Sequence, residues 1–133
     1  MNLIVLVIDS LRQDHVGLYH GGSGPFPDVA ACRTPHLDAF SRGCVVFTDA
    51  YPEGLPTIPA RYTLMTGQRG LPFRPWSPLA AGDLTVAQML RSEGYICGLI
   101  TDCYHYRAPG MNYHAGFHAV RWIRGQEYDP WES

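Results

Sequence analysis

Leu3-Ile4-Val5-Leu6-Val7-Ile8 runs unbroken into Asp9-Ser10, and the reading of that stretch decides the fold. A strand with one wet face would alternate apolar and polar residues. This run has no polar position and is rich in β-branched residues, the pattern of a strand buried on both faces in the middle of a parallel sheet. It predicts an α/β fold. Open parallel sheets place their ligands beyond the carboxyl ends of their strands. Asp9 therefore stands where a metal-ligating carboxylate would stand, although capping the following turn is the commoner use of such a residue. Asp14 is placed to pair with Arg12 or to cap a turn, and His15 to lie on the surface.

Outward from that strand, the chain alternates between helical and strand-like segments. Gly21-Gly22-Ser23-Gly24-Pro25 is a loop. Thr34–Phe40 reads as a helix, with Thr34 as N-cap, Pro35 at the first position, Leu37 and Phe40 facing inward and Gly43 ending it. Val45-Val46-Phe47 is a second expected strand. Residues 68–83 contain five prolines and glycines plus Trp76 and lack periodicity, which suits a surface loop walling a substrate cleft. Thr85–Gly94 is the clearest helix, with Val86, Met89 and Leu90 as its stripe and Gly94 as its stop. Tyr95–Ile100 is the next buried strand. It delivers Thr101-Asp102-Cys103-Tyr104-His105 to the same sheet edge as Asp9. A further short strand is expected near Ala119–Ile123, within an aromatic- and His-rich stretch from Pro109 to Ser133.

Between the second strand and the Trp76 loop lies Pro56-Thr57-Ile58-Pro59-Ala60-Arg61-Tyr62-Thr63-Leu64-Met65-Thr66-Gly67. Pro59 fits a first helical turn, and Gly67 fits the position just past a helix end. Thr57 then sits beside a helix N-terminus, where free N–H groups and the dipole favour an anion. Arg61 follows by four residues and can swing back towards the Thr57 hydroxyl. A hydroxyl, exposed amides and a guanidinium fork converging on one spot suit a tetrahedral oxyanion such as phosphate or sulfate. An N-capped helix with a surface Arg would show the same spacing.

Composition limits the function classes. The 133 residues are 46% hydrophobic and 17% charged, a single globular domain's worth of chain rather than a disordered one. A net charge of −2 gives no reason to expect nucleic acid or an anionic membrane as a partner. All ten basic residues are Arg, which base composition of the source genome would explain. Cys32, Cys44, Cys97 and Cys103 show neither CxxC nor zinc spacing and read as buried thiols in a reducing compartment. The apolar run at Leu3–Ile8 is too short for a signal-peptide core or a membrane span. With Met1 as the native start, the expected location is cytoplasmic.

Several of these stretches together resemble the sulfatases of the alkaline phosphatase-like superfamily. The strand ending in Asp9-Ser10-Leu11-Arg12-Gln13-Asp14-His15 is similar to the sulfatase opening. Thr34-Pro35-His36-Leu37-Asp38 and Phe47-Thr48-Asp49-Ala50-Tyr51 are similar to later sulfatase segments. The run from Thr57 to Gly67 resembles the sulfatase signature, in which Cys or Ser is followed by x-Pro-x-Arg-x-x-Leu-x-Thr-Gly. Five matched residues at average usage recur by chance in about one window per million. The resemblance implies a partial alkaline phosphatase-like fold spanning 1–133, a mostly parallel sheet with helices on both faces, forming the N-terminal part of a catalytic domain.

It also implies a function, metal-dependent hydrolysis of a sulfate or phosphate ester. Two departures bear on the chemistry. The nucleophile position holds Thr57, which cannot be converted to the formylglycine that sulfatases make from Cys or Ser. Superfamily phosphodiesterases, phosphomutases and phosphoethanolamine transferases use an unmodified Thr, so Thr57 tilts the expectation towards phosphodiesters or phosphonates. Where sulfatases show two adjacent Asp, this chain has Asp9-Ser10, leaving Asp9 and Thr57 as the expected ligands of a Ca, Mn, Zn or Mg ion. Arg61 is the expected oxyanion holder. Thr101–His105 stands in place of the family's Gly-Lys-Trp-His, so His105 is expected to bind substrate or protonate the leaving group, with Asp102 beside it. Family members are much longer. The expected state is therefore a truncated, nearly inactive portion, associating with copies of itself to cover an exposed sheet edge. The rival expectation is a non-catalytic module that binds anions or a partner protein.

Overall fold

A computed structural model describes residues 1–107 and 110–124; the expected features around Pro109 and from Gly125 to Trp131 lie outside the described residues. The chain divides into two compact units, Met1–Ala50 and Tyr51–Ser133.

In the first unit Leu3–Ile8 carries no regular structure, contrary to the sequence expectation. Ile4 is 90% exposed and Leu6 76%. An all-apolar strand needs hydrogen-bonded neighbours and cover on both faces, and the regular elements of this unit are only a 3₁₀ turn at Gln13–His15 and two short helices. Val45-Val46-Phe47 forms no strand either. Backbone acceptors along this segment are taken by side chains: the Tyr19 hydroxyl donates to the Phe47 carbonyl (3.1 Å) and the Gln13 amide to the Thr48 carbonyl (2.9 Å).

The two helices are α1 (Gly17–His20) and α2 (Pro35–Ser41). Pro35 takes the first position as expected, but Thr34 does not cap its own helix. Its hydroxyl accepts from the Gly17 amide (2.8 Å) and donates to Asp38 (2.9 Å). Asp38 also accepts from the Leu18 amide (2.9 Å). Two orphan amides at the start of α1 are thus satisfied by side chains at the start of α2. Gly17 suits this closeness, because a Cβ there would run into the Asp38 carboxylate and force it to shift. Leu37 and Phe40, expected to face inward, are exposed.

The second unit is built on α3 (Thr57–Thr66). It starts two residues before Pro59, so Thr57 lies in the helix rather than beside it. Ile58, Pro59, Tyr62 and Thr66 are buried, a stripe at the four-residue spacing of one helix face. Gly67 ends the helix in the left-handed region at φ +68°, as its position predicts. The 68–83 loop is braced from within. Arg74 pairs with Asp83 (Nη1 to Oδ1, 2.9 Å) and stacks its guanidinium 4.3 Å from the Tyr62 ring centre, and Leu79 turns into the core.

Next comes α4 (Val86–Ser92), opened by a capping box between Thr85 and Gln88. Its buried residue is Ala87, whereas Val86 and Met89 of the expected stripe remain exposed. Then β1 (Gly98–Thr101) pairs in parallel with β2 (Ala119–Trp122), Gly98 opposite Ala119 and Thr101 opposite Trp122. The α/β class and the parallel pairing agree with the sequence reading. Among the described residues the sheet has two strands rather than the broader sheet expected, because Leu3–Ile8 and Val45–Phe47 do not join it. The core is Ile58, Tyr62, Leu79, Tyr106 and Tyr113. None of the cysteines is in a disulfide, with Cys32 and Cys44 exposed and Cys97 and Cys103 half-buried, so the expectation of buried thiols fails for the first two. No helix among the described residues is long and apolar enough to cross a membrane.

Candidate active site

Asp9 belongs to the first unit, while Thr57, Arg61, Asp102 and His105 belong to the second. Asp9 is exposed and precedes Ser10, whose φ of +61° puts a non-glycine residue in the left-handed region. A cleft of about 340 Å³ in the first unit is lined by Leu11, Arg12, Val16, Tyr19, Phe47 and Thr48 among others. None of the candidate residues lines it.

Within the second unit, Thr57 occupies the first position of α3 and Arg61 follows one turn later. Residues four apart on a helix share a face. Both side chains are half-buried, and each is followed in sequence by a core residue, Ile58 and Tyr62. The first turn offers fewer donors than the sequence suggested, since Pro59 within it has no N–H. Asp102 lies directly after the carboxyl end of β1 and is exposed, as the sheet-edge rule predicts. His105 sits in the 3₁₀ turn Tyr104–Tyr106. Its ring meets Trp76 edge-to-face at 4.9 Å and 83°, and Tyr104 at 6.2 Å. The braced loop therefore sets the Trp76 ring against His105.

The structure adds residues that the sequence reading passed over. Glu53 accepts from the Thr63 hydroxyl (3.1 Å) and the Gly70 amide (3.0 Å), tying the C-terminal half of α3 and the loop after it to the segment that leads into the helix. Tyr113, 1% exposed, donates its hydroxyl to the Ile58 carbonyl (3.2 Å). Burial pushes the Tyr113 phenol up to about 12, so it remains a donor across the ordinary pH range. Neither residue carries a periodicity or motif signal. Glu53 was hidden in a Pro- and Gly-rich approach, Tyr113 in an aromatic stretch without a repeat.

A family model for sulfatases matches residues 1–129. The chain belongs to the sulfatase family. No match was found among curated proteins or among solved structures. The sulfatase family is one of hydrolases, and its members generally use divalent metal ions. The donor set gathered here does not fit such an ion. Among the described residues no group of three or more His, Cys, Asp or Glu side chains is placed to hold one, whereas a hard cation takes about six or more oxygens. The expected ligands Asp9 and Thr57 belong to different units, and one carboxylate and one hydroxyl fall short of that number, as expected for a partial ligand set.

Proposed function

We propose that this chain carries the nucleophile part of a hydrolase site for phosphate or sulfate esters, with phosphodiesters or phosphonates favoured by Thr57. The observation that carries the reading is the folding of the family signature into one helix, with Thr57 at its first position and Arg61 a turn further on. In this reading the Thr57 hydroxyl attacks phosphorus, the ester oxygen departs, and water later releases the phosphoryl group from Thr57. Arg61 forks onto the non-bridging oxygens and stabilises the charge that builds on them. His105 contacts the substrate or protonates the leaving oxygen, with Asp102 beside it at the sheet edge. Asp9 would be one ligand of the family's divalent ion, the others coming from residues that the described structure does not gather. The same shortfall gives the chain by itself little or no turnover. The reading includes a cytoplasmic setting, no nucleic-acid or membrane partner, and association of copies along an exposed sheet edge.

Mass spectrometry after incubation with an aryl phosphate and each of Ca, Mn, Zn and Mg tests the chemistry. The expected result is a phosphoryl group on Thr57 that is absent from Thr57→Ala. The non-catalytic alternative, a module that binds anions or a partner protein, gives no adduct and equal phosphate affinity for both proteins. A metal-dependent phosphodiesterase rate well above background from the 133 residues would overturn the expectation of inactivity while supporting the enzyme.

A further inference from the structure

Two segments carry the candidate chemistry in the second unit, the start of α3 and the turn that holds His105. A pair of tyrosines joins them. The Tyr113 hydroxyl donates to the carbonyl of Ile58, the residue after Thr57, across 55 positions of sequence. The Tyr113 ring stacks on Tyr106 at 5.0 Å with 15° between the planes. Tyr106 is the residue after His105. Both rings are at least nine-tenths buried, at 1% and 5% exposure, so the bridge is held inside the core and has little room to swing.

We propose that Tyr113 is the positioning residue of this site, its hydroxyl fixing the α3 turn that carries Thr57 and its ring fixing the turn that carries His105. The proposal rests on the reading of Thr57 and His105 as members of one site. It assigns no chemistry to Tyr113 itself, whose phenol is spent on a backbone carbonyl. Its consequence is mechanical. The Ile58 carbonyl belongs to α3, so a hydroxyl bonded to it resists rotation of the first turn. Aromatic stacking resists sliding of the opposite turn. Reactive groups must be held within a few tenths of an ångström to be useful, and this pair links two segments that the sequence separates widely.

Tyr113→Phe is the test, because it keeps the ring and volume and removes only the hydroxyl. Asn112→Gly is the control. It removes a neighbouring hydrogen bond, from Asn112 to the Leu79 carbonyl (3.1 Å), at a residue whose φ of +64° glycine adopts without strain. Two measurements on the full chain are made by NMR: the backbone amide signals of Thr57 and His105 without ligand, and titration with inorganic phosphate. Tyr113→Phe is expected to move the Thr57 amide signal, to leave that of His105, whose turn the retained ring still holds, and to weaken phosphate binding about threefold or more, the scale of one lost hydrogen bond. Asn112→Gly is expected neither to move the Thr57 signal nor to weaken binding. A Thr57 signal that stays in place in Tyr113→Phe, a His105 signal that moves as far as that of Thr57, or equal movement in the control overturns the proposal. A native chain that fails to bind phosphate overturns the oxyanion reading instead, and the paired signals still decide the role of Tyr113.

Discussion

Up to Ala50 the elements are held by side-chain hydrogen bonds, whereas from Tyr51 onward they are held by burial. None of the described residues before Tyr51 is buried. There, Thr34 and Asp38 satisfy the first amides of α1, and Gln13 and Tyr19 satisfy carbonyls at Thr48 and Phe47. The second unit owns Ile58, Tyr62, Leu79, Ala87, Tyr106 and Tyr113, the buried apolar residues of the described chain. A net hydrogen bond contributes about 1 kcal/mol, while a fully buried large apolar side chain contributes about 1.5–3 kcal/mol. The difference shows why Thr57, Arg61 and His105 sit on anchored backbone while Asp9 does not. The nucleophile helix is part of a core. The strand meant to deliver Asp9 has none.

The largest effect should come from the core. Ile58→Ala removes buried atoms at the centre of the second unit and is expected to cost about 2–5 kcal/mol. Urea unfolding followed by NMR would show the signals of α3, α4 and the 104–106 turn lost together. Hydrogen exchange at Gly17 and Leu18 should remain as in the native protein. If Ile58→Ala costs less than about 1 kcal/mol, burial is not what holds the second unit and the contrast fails.

A smaller effect is expected from Asp38→Ala. It removes the acceptor of the Leu18 amide and of the Thr34 hydroxyl, at a cost of about 1 kcal/mol, the usual scale for a lost helix-end partner. Gly17 and Leu18 should exchange faster, and amides of α3 should not change. Faster exchange in α3 as well would show that the two units are not held independently and would sharpen the comparison into a coupling.

These same forces explain what was legible in the sequence. Helix ends are local events. Gly67, Gly94 and Pro35 were readable because each depends on a few adjacent residues, while the Thr85–Gln88 capping box went unread. The strand read as buried over Tyr95–Ile100 forms over Gly98–Thr101 and is exposed at Gly98 and Ile100, and the one read near Ala119 forms as its partner. Leu3–Ile8 gave a stronger strand signal than either and forms none, because its pattern specifies only what it would accept as neighbours. The inward stripe of α4 was misread for a related reason. Periodicity favoured Val86 and Met89, but the buried residue is the small Ala87, and Gly116 closes on the helix cap, where a Cβ would meet Gln88 at 2.6 Å. Among the candidate residues, Thr57 and Arg61 were read from a motif, which folds as α3, and His105 from its place after a strand, where it lies in the turn Tyr104–Tyr106. Tyr113 and Glu53 were not, since long-range hydrogen bonds leave no trace in spacing. The metal ligands Asp9 and Thr57 were named from a family pattern, which does not itself show that ligands meet.

The smallest effect is the most specific to the first unit. Arg12 hydrogen bonds to Asp14 (Nε to Oδ1, 3.0 Å), and His15 Nδ1 lies 2.8 Å from the same carboxylate. The hydrogen bond from Arg12, then that from His15, hold the Asp14 carboxyl at about 2, below its ordinary 3.8. A carboxyl with a lower pKa in the folded chain than in the unfolded one stabilises the fold above the unfolded value. That contribution is lost as pH falls through about 2. The pair is solvent-exposed, so its weight in stability is slight and screened by salt. A carbon-13 titration of the Asp14 carboxyl should find its midpoint near 2, rising towards 3.8 in Arg12→Ala and rising part of the way in molar salt. Stability of the second unit, resting on apolar burial, should not fall over the same salt range. An Asp14 midpoint already near 3.8 in the native chain would mean that Arg12, Asp14 and His15 do not hold their arrangement in water. Polar contacts would then be too weak to order the segment that follows Asp9, and the contrast between the two units would be one of order against its lack rather than of two kinds of bond.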